Sequence, residues 1–251
     1  MTDRHLQRVE HIMGTAVLFD VRDPGFDDRI IDRAVASLRS AEAVFSTYQA
    51  ESEISRLRDG RLSLSDADPV VREVLDRCDR IRRETDGAFD HRSGSELDPS
   101  GYVKGWTIEG AARIMSDAGA NAFLISAGGD IVARGAPPGS EAWTAAIRDP
   151  ENTTAVLGTV TLNDSAIATS GRYERGEHIR ETDDDTDGLT SVSVLGPDLG
   201  IADAMATAIL AGGLSGATWL NRFAGYDFVA VTADRRILRS PSARFTPVTA
   251  Q

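Results

Sequence analysis

Apolar positions recur at two different periods along this chain. Between Phe26 and Phe45, residues Ile30, Ile31, Ala34, Val35, Leu38 and Ala41 return every three or four positions, which predicts an amphipathic helix. Asp68-Pro69 supplies an N-cap and a first-turn proline for a second helix, with a stripe of Val70, Val71, Val74, Leu75, Cys78 and Ile81. Cys78 lies on that stripe and is expected to be a buried, inert thiol. From Phe45 to Leu57 the period breaks, leaving Tyr48 exposed among small hydroxyls before a short helical turn starting near Ser52. The later part of Tyr102 to Met115 predicts a third helix that Gly119 closes. Ile201 to Gly213 predicts a fourth, in which one carboxylate and one hydroxyl stand among alanines and Gly212-Gly213 is the stop.

Elsewhere the pattern is β-like. Glu10 to Val21 reads as one strand with an early glycine, ended by the Asp23-Pro-Gly25 turn. Asn121 to Ser126 reads as a buried strand, Ala127-Gly-Gly-Asp130 as a tight bend, and Ile131 to Arg134 as the strand's continuation. Trp143 to Arg148 and Val156 to Leu162 form an expected antiparallel pair around the Asp149-Pro-Glu-Asn152 turn. Leu189 to Leu195 is a further strand, and Asp227 to Thr232 with Arg236 to Leu238 makes a closing hairpin. Strands and helices interleave without regular βαβ repetition, so the expected class is α+β with a mixed or antiparallel sheet.

Composition narrows this picture. With 251 residues, 41% apolar and 26% charged, and no Pro- or Ser-rich linker, the chain is expected to be one ordinary globular domain. A net charge of −12 argues against nucleic-acid binding through a general basic surface. One cysteine excludes an internal disulfide framework, and neither a membrane segment nor a signal-type apolar run is found, so a soluble cytoplasmic protein is expected. The run from Arg180 to Gly188, with Glu181, Asp183, Asp184, Asp185 and Asp187, reads as a solvated acidic loop.

Basic residues are unusual. Of 27, all but Lys104 are arginine, a bias that reads as a genome-level preference and leaves two readings of Lys104 open: a survivor by chance, or a position where a compact ammonium is needed. Lys104 follows the glycine-rich stretch His91 to Gly101 at a loop-to-helix junction, where free amide N–H groups and glycines favour an anion. No Walker A order and no G-x-G-x-x-G after a strand occurs. Asp203 and Thr207, four apart, share a helix face. Two readings stay open for them: half of a Mg²⁺ site, since hard cations take oxygen ligands, or a dipole-favoured acid and a small polar residue in a packing face. Of the four histidines, His5, His11 and His91 have surface or core roles as their simplest explanation, and His178 alone would have the same.

A set of short tags then occurs in one order: Met13-Gly-Thr15, Phe45-Ser-Thr-Tyr48 with Ser52-Glu-Ile-Ser-Arg-Leu57, Gly87-Ala-Phe-Asp90, Gly101-Tyr-Val-Lys-Gly105, Ser126-Ala-Gly-Gly-Asp-Ile131, Ala168-Thr-Ser-Gly171, His178-Ile179 and Asp203-Ala-Met-Ala-Thr207. Together they resemble the ApbE family, the FAD:protein FMN transferases, over roughly Ile12 to Ala233. The resemblance implies an ApbE-like, T-fold-related domain over 1–251 with its core at about 12–233. It implies FAD as substrate, Mg²⁺ as cofactor, an acceptor flavoprotein whose Thr or Ser hydroxyl receives FMN, and AMP as the product released. By resemblance Val103 (through its carbonyl), Asp203 and Thr207 would hold the metal. Met13, Tyr48, Gly101, Lys104, Gly128, Gly129, Thr169, Ser170 and Gly171 would line the dinucleotide site. His178 would be the general base, with Lys104 neutralising phosphate charge. One departure follows that histidine: the family usually continues into Asp-Pro-x-Thr-Gly, whereas this chain reads Arg180-Glu-Thr-Asp-Asp-Asp-Thr-Asp-Gly188. The competing classes are an FAD-binding protein, a Mg²⁺-dependent FAD pyrophosphatase without transfer to protein, and an acidic scaffold.

Overall fold

The computed structural model describes residues 5–92, 96–152, 154–172 and 188–248. Eight strands form the main sheet in the order β1-β2-β3-β4-β7-β8-β9-β10, and three form a second in the order β11-β6-β5. In chain order β1 is Leu6–Ile12, β2 Thr15–Val21, β3 Phe123–Ala127, β4 Asp130–Arg134, β5 Trp143–Arg148, β6 Val156–Leu162, β7 Ser165–Gly171, β8 Leu189–Gly196, β9 Asp227–Thr232, β10 Ile237–Arg239 and β11 Phe245–Pro247. Every pairing is antiparallel. The class is therefore α+β, as the pattern predicts.

The stretch expected as one strand from Glu10 to Val21 is two. Met13 and Gly14 both take positive φ, 54° and 70°, and reverse the chain so that Ile12 faces Thr15. Consecutive left-handed residues are what a two-residue hairpin between twisted strands requires. Likewise Ile131 to Arg134 does not continue the strand before it: Gly128 and Gly129, at φ 56° and 93°, fold β4 back onto β3.

One face of the large sheet carries the helices α1 (Arg29–Phe45), α4 (Ser100–Asp117) and α5 (Leu199–Gly212); Phe19, Leu38, Ile108, Phe123, Val194 and Met205 belong to the core between them. A second helical layer, α2 (Glu53–Arg58) and α3 (Pro69–Glu84), covers the outer side of α4 and α5 through Ile54, Val71, Val74, Cys78, Tyr102 and Ala204. Ser52 caps α2 through the Ser55 amide, and Asp68 caps α3 through the Val70 amide. Burial pushes the Cys78 thiol up to about 12, which keeps it inert. The opposite face packs on the small sheet through Trp143, Ile147, Leu162, Ile167, Leu195 and Val229. Strand β5 alternates buried and exposed positions throughout, the signature of a strand with one wet face. Among the described residues no helix is long and apolar enough to cross a membrane.

Helix α4 starts earlier than its sequence suggests, at Ser100, so Lys104 lies inside the helix rather than in the junction before it. Its glycines explain why it can sit so close to α5. A methyl at Gly105 would lie 2.4 Å from the Leu199 carbonyl oxygen and 3.0 Å from the Asp203 Cβ. Gly200 returns the contact, against Tyr102 and the Trp106 backbone. Removing side chains from the crossing lets the backbones touch, and that close contact places Asp203 against α4.

Candidate active site

Two chain reversals and one strand end meet at one end of the large sheet. The Met13-Gly14 turn is held from α1, because the Met13 amide donates to Glu42 Oε1 at 2.9 Å. The Gly128-Gly129 turn lies beside it, since a side chain at Gly128 would come within 3.3 Å of Thr15 Oγ1. Next comes the end of β7, where the Thr169 amide donates to Asp130 Oδ1 at 3.2 Å. Both glycines are exposed, so backbone lines this end and bulky ligand groups can approach it.

The two crossing helices place polar groups over that end. From α4, Lys104 Nζ lies 2.7 Å from Asp130 Oδ2 and 3.9 Å from Asp203 Oδ1. The Gly105 amide donates to Asp203 Oδ2 at 3.2 Å. One turn further along α5, Thr207 Oγ1 is 3.3 Å from Ser170 Oγ. Gly101 lies against the same threonine, where a methyl would be 3.5 Å from Thr207 Oγ1 and 3.4 Å from the Phe89 ring. The Val103 carbonyl accepts the Thr107 hydroxyl at 2.7 Å. Asp130 is fully buried; burial pushes its carboxyl pKa up, and the adjacent Lys104 ammonium opposes that shift. Asp203 is 3% exposed, whereas Lys104 and Thr207 are half-buried, so the ammonium and the hydroxyl form the accessible rim of an otherwise buried group.

The structure thus brings together Gly101, Lys104, Ser170, Asp203 and Thr207, with Met13, Gly128 and Gly129 on adjoining turns, while the Val103 carbonyl is bonded within its own helix. Gly171 ends β7 and is buried. Thr169 behaves differently. Its side chain points to the other face of the sheet and bonds Ser193 Oγ at 2.8 Å, so only its backbone serves this cluster. Tyr48 is 98% exposed on the turn after α1. That turn is braced by Ser46, whose hydroxyl accepts the Tyr48 and Gln49 amides and whose carbonyl accepts the Ser52 and Ser55 hydroxyls. His178 and the acids Asp183 to Asp185 lie outside the described residues. Asp130 was not among the expected site residues. Its signal is a carboxylate directly after Gly-Gly at an inward-facing strand position, two residues before the core residue Val132.

An oxygen-only donor set of one carboxylate, one hydroxyl and one carbonyl fits a hard divalent cation whose remaining positions are completed by water or phosphate. Among the described residues no cluster of three or more His, Cys, Asp or Glu that could hold a metal is found.

Solved structures share this architecture. The flavin transferase ApbE from Vibrio cholerae matches with a TM-score of 0.80 at 20% identity, over 95% of this chain and 98% of that one. The ApbE protein from Thermotoga maritima matches with a TM-score of 0.83 at 21% identity, again over 95% and 98%. The family model described as "ApbE family" matches residues 13–95 and 91–229, and the chain belongs to the ApbE family. Among curated relatives, the FAD:protein FMN transferase of Rhodobacter capsulatus is 33% identical over 161 residues, covering 59% of this chain and 30% of that protein. That of Klebsiella pneumoniae (strain 342) is 31% identical over 126 residues, covering 45% and 36%. The matched stretches therefore span about a third of those relatives' lengths.

Proposed function

We propose that this chain is a Mg²⁺-dependent FAD:protein FMN transferase. The observation that carries the reading is the anchored Lys104 ammonium beside the oxygen donors Asp203 and Thr207, at a sheet end lined by glycine turns. In the reaction, a Thr or Ser hydroxyl of an acceptor flavoprotein attacks the FMN phosphorus of FAD, the pyrophosphate P–O bond breaks, and AMP leaves. Asp203, Thr207 and the Val103 carbonyl would hold Mg²⁺, which supplies charge neutralisation on the pyrophosphate oxygens. Lys104 adds a point charge on the same side. The Met13-Gly14 and Gly128-Gly129 turns admit the dinucleotide, and Tyr48 offers an aromatic face to one of its rings. His178 takes the proton of the attacking hydroxyl, a role suited to a group whose ordinary pKa is near neutral. The reading treats residues 12–233 as one catalytic unit, and it assumes a reducing cytoplasmic setting, which a lone buried cysteine suits.

The test is to mix purified protein, FAD, Mg²⁺ and a flavoprotein bearing the target threonine, and to follow acceptor mass. A gain of one FMN, with AMP released in equal amount, is expected. Release of FMN and AMP with no change in acceptor mass would instead make the protein an FAD pyrophosphatase, the outcome that the altered sequence after His178 raises.

A further inference from the structure

The Met13-Gly14 reversal does not choose its own shape. In a two-residue hairpin of this kind both central residues lie at positive φ, which Asn, Asp and Gly take readily and which other side chains resist through their Cβ. Gly14 meets that demand without steric cost; Met13, at φ 54°, does not. The ladder gives no help either. Ile12 faces Thr15 across the turn, so the strand bonds close outside Met13 and its amide has no strand partner.

Two contacts from outside hold the turn. The half-buried Met13 side chain packs against the main core, and its amide donates to Glu42 Oε1 at 2.9 Å. An ionised acceptor makes this one of the stronger kinds of hydrogen bond. Among the described residues Glu42 makes no ion pair, and Arg39, one turn earlier on α1, pairs instead with Glu10 at 3.0 Å. The Glu42 carbonyl also accepts the Ser46 amide at 3.0 Å, ending α1 just ahead of the turn that carries Tyr48. Glu42 thus bonds the Met13 turn through its side chain and the approach to Tyr48 through its backbone, and only the first bond is open to substitution.

We infer that Glu42 is a positioning residue for the dinucleotide: its carboxylate holds Met13 in the left-handed turn before FAD arrives, so that FAD meets a surface already formed. This inference rests on the reading that the Met13-Gly14 turn lines the FAD site. Without the acceptor, Met13 would gain right-handed alternatives. FAD would then have to order the turn as it binds, which lowers affinity without removing any contact to the ligand.

The experiment pairs FAD titration, followed by flavin fluorescence, with hydrogen exchange of methionine amides in protein labelled with ¹⁵N at methionine alone. The chain has four methionines, and Met115 and Met205, buried in α4 and α5, serve as internal references. In wild type the Met13 amide should be protected, and its signal should move when FAD is added. Glu42→Ala should lose protection at Met13 while keeping it at Met115, and should bind FAD about tenfold more weakly, the scale of one hydrogen bond to a charged group. Glu42→Gln retains an oxygen acceptor and should restore most of both. Thermal unfolding checks that each variant folds, and Glu42→Leu, which also lacks an acceptor, carries the test if Glu42→Ala does not fold. Wild-type FAD affinity in Glu42→Ala, undiminished protection of its Met13 amide, or a Glu42→Gln protein as weak as Glu42→Ala each overturns the inference, the last by assigning the effect to charge. No binding of FAD by wild type, or binding that leaves the Met13 signal unmoved, sinks the reading that this turn lines an FAD site, and the inference with it.

Discussion

Gly105 and Gly110 lie in the same helix and should respond to alanine in opposite directions. Helix preference alone favours alanine over an interior glycine by about 0.5–1 kcal/mol at either position. At Gly110 nothing lies within 4 Å of the added methyl, so that preference should appear undiluted. At Gly105 the methyl would lie 2.4 Å from the Leu199 oxygen and 2.8 Å from its carbonyl carbon, both backbone atoms that cannot swing aside. Restoring a 3.4 Å contact separates α4 from α5 by about 1 Å and forfeits dispersion contacts along the crossing. Overpacking of this kind costs about 3 kcal/mol at the upper end of its usual range. Against a gain of about 1 kcal/mol, the net loss is about 2 kcal/mol, and in a protein of this size the Tm should fall by about 4–8 °C. Gly110→Ala should raise Tm by about 1–4 °C. Calorimetric or fluorescence melting of the two variants beside wild type measures both signs. A Gly105→Ala protein as stable as Gly110→Ala would show that the close crossing is not a constraint, and the account of how Asp203 is placed would fail with it.

Tyr48→Ala should weaken FAD binding by about two- to tenfold, the worth of one aromatic stacking contact, while leaving Tm unchanged because the ring is 98% exposed; fluorescence titration with FAD measures this. Asp203→Ala should abolish Mg²⁺-dependent turnover, whereas neutralising Asp183, Asp184 and Asp185 together should not; the reverse pattern in an acceptor-mass assay would move the cation to the acidic run. His178→Ala should lose about 10²–10⁴-fold in transfer with little change in FAD affinity, and equal rates in the two proteins would assign the proton to another group. Asp20 is desolvated by burial, which by itself raises its pKa, but hydrogen bonds from Arg22 and Gln7 outweigh this and hold it below the ordinary 3.8. A depressed pKa contributes stability that is complete above the unfolded value and is lost as pH falls through the folded one. Asp20→Asn should therefore be less stable than wild type at neutral pH, and urea melts should show the gap closing as pH is lowered below 3.8.

Where local chemistry alone decides an element, the sequence was sufficient. Trp143–Arg148 and Val156–Leu162 emerge with the bounds their alternation and the intervening turn imply, and Asp68-Pro69 marks the start of α3 correctly. Misreadings fall where distant residues decide. Met13 is not a glycine, yet it takes a left-handed turn conformation with its amide bonded to Glu42, 29 positions away, so the hairpin looked like one strand. Pro99-Ser-Gly101 reads as loop, but packing of Gly101 against Phe89 and Thr207 accommodates a first helical turn there. The shared helix face of Asp203 and Thr207 was legible from spacing. The carboxylate that pairs with Lys104 was not, because Asp130 reaches it only through the register of β4 with β7 and the approach of α4. The face that Thr169 occupies likewise follows from its pairing opposite Ser193 on β8.

Helix α5 has almost no solvent-facing side: Leu199, Ala202, Asp203, Ala204, Met205, Ala206, Ala208, Ile209 and Leu210 are all buried, by the main sheet and α4 among others. Asp203 is therefore a part of the core as well as of the site, and a substitution on most faces of this helix alters packing and ligand geometry at once. The exposed glycines of the β3–β4 turn and the tip carrying Tyr48 are under no such double constraint. Divergence or redesign that retunes which nucleotide or acceptor is taken should accumulate in those tips, while the helix carrying the carboxylate and hydroxyl stays nearly immutable.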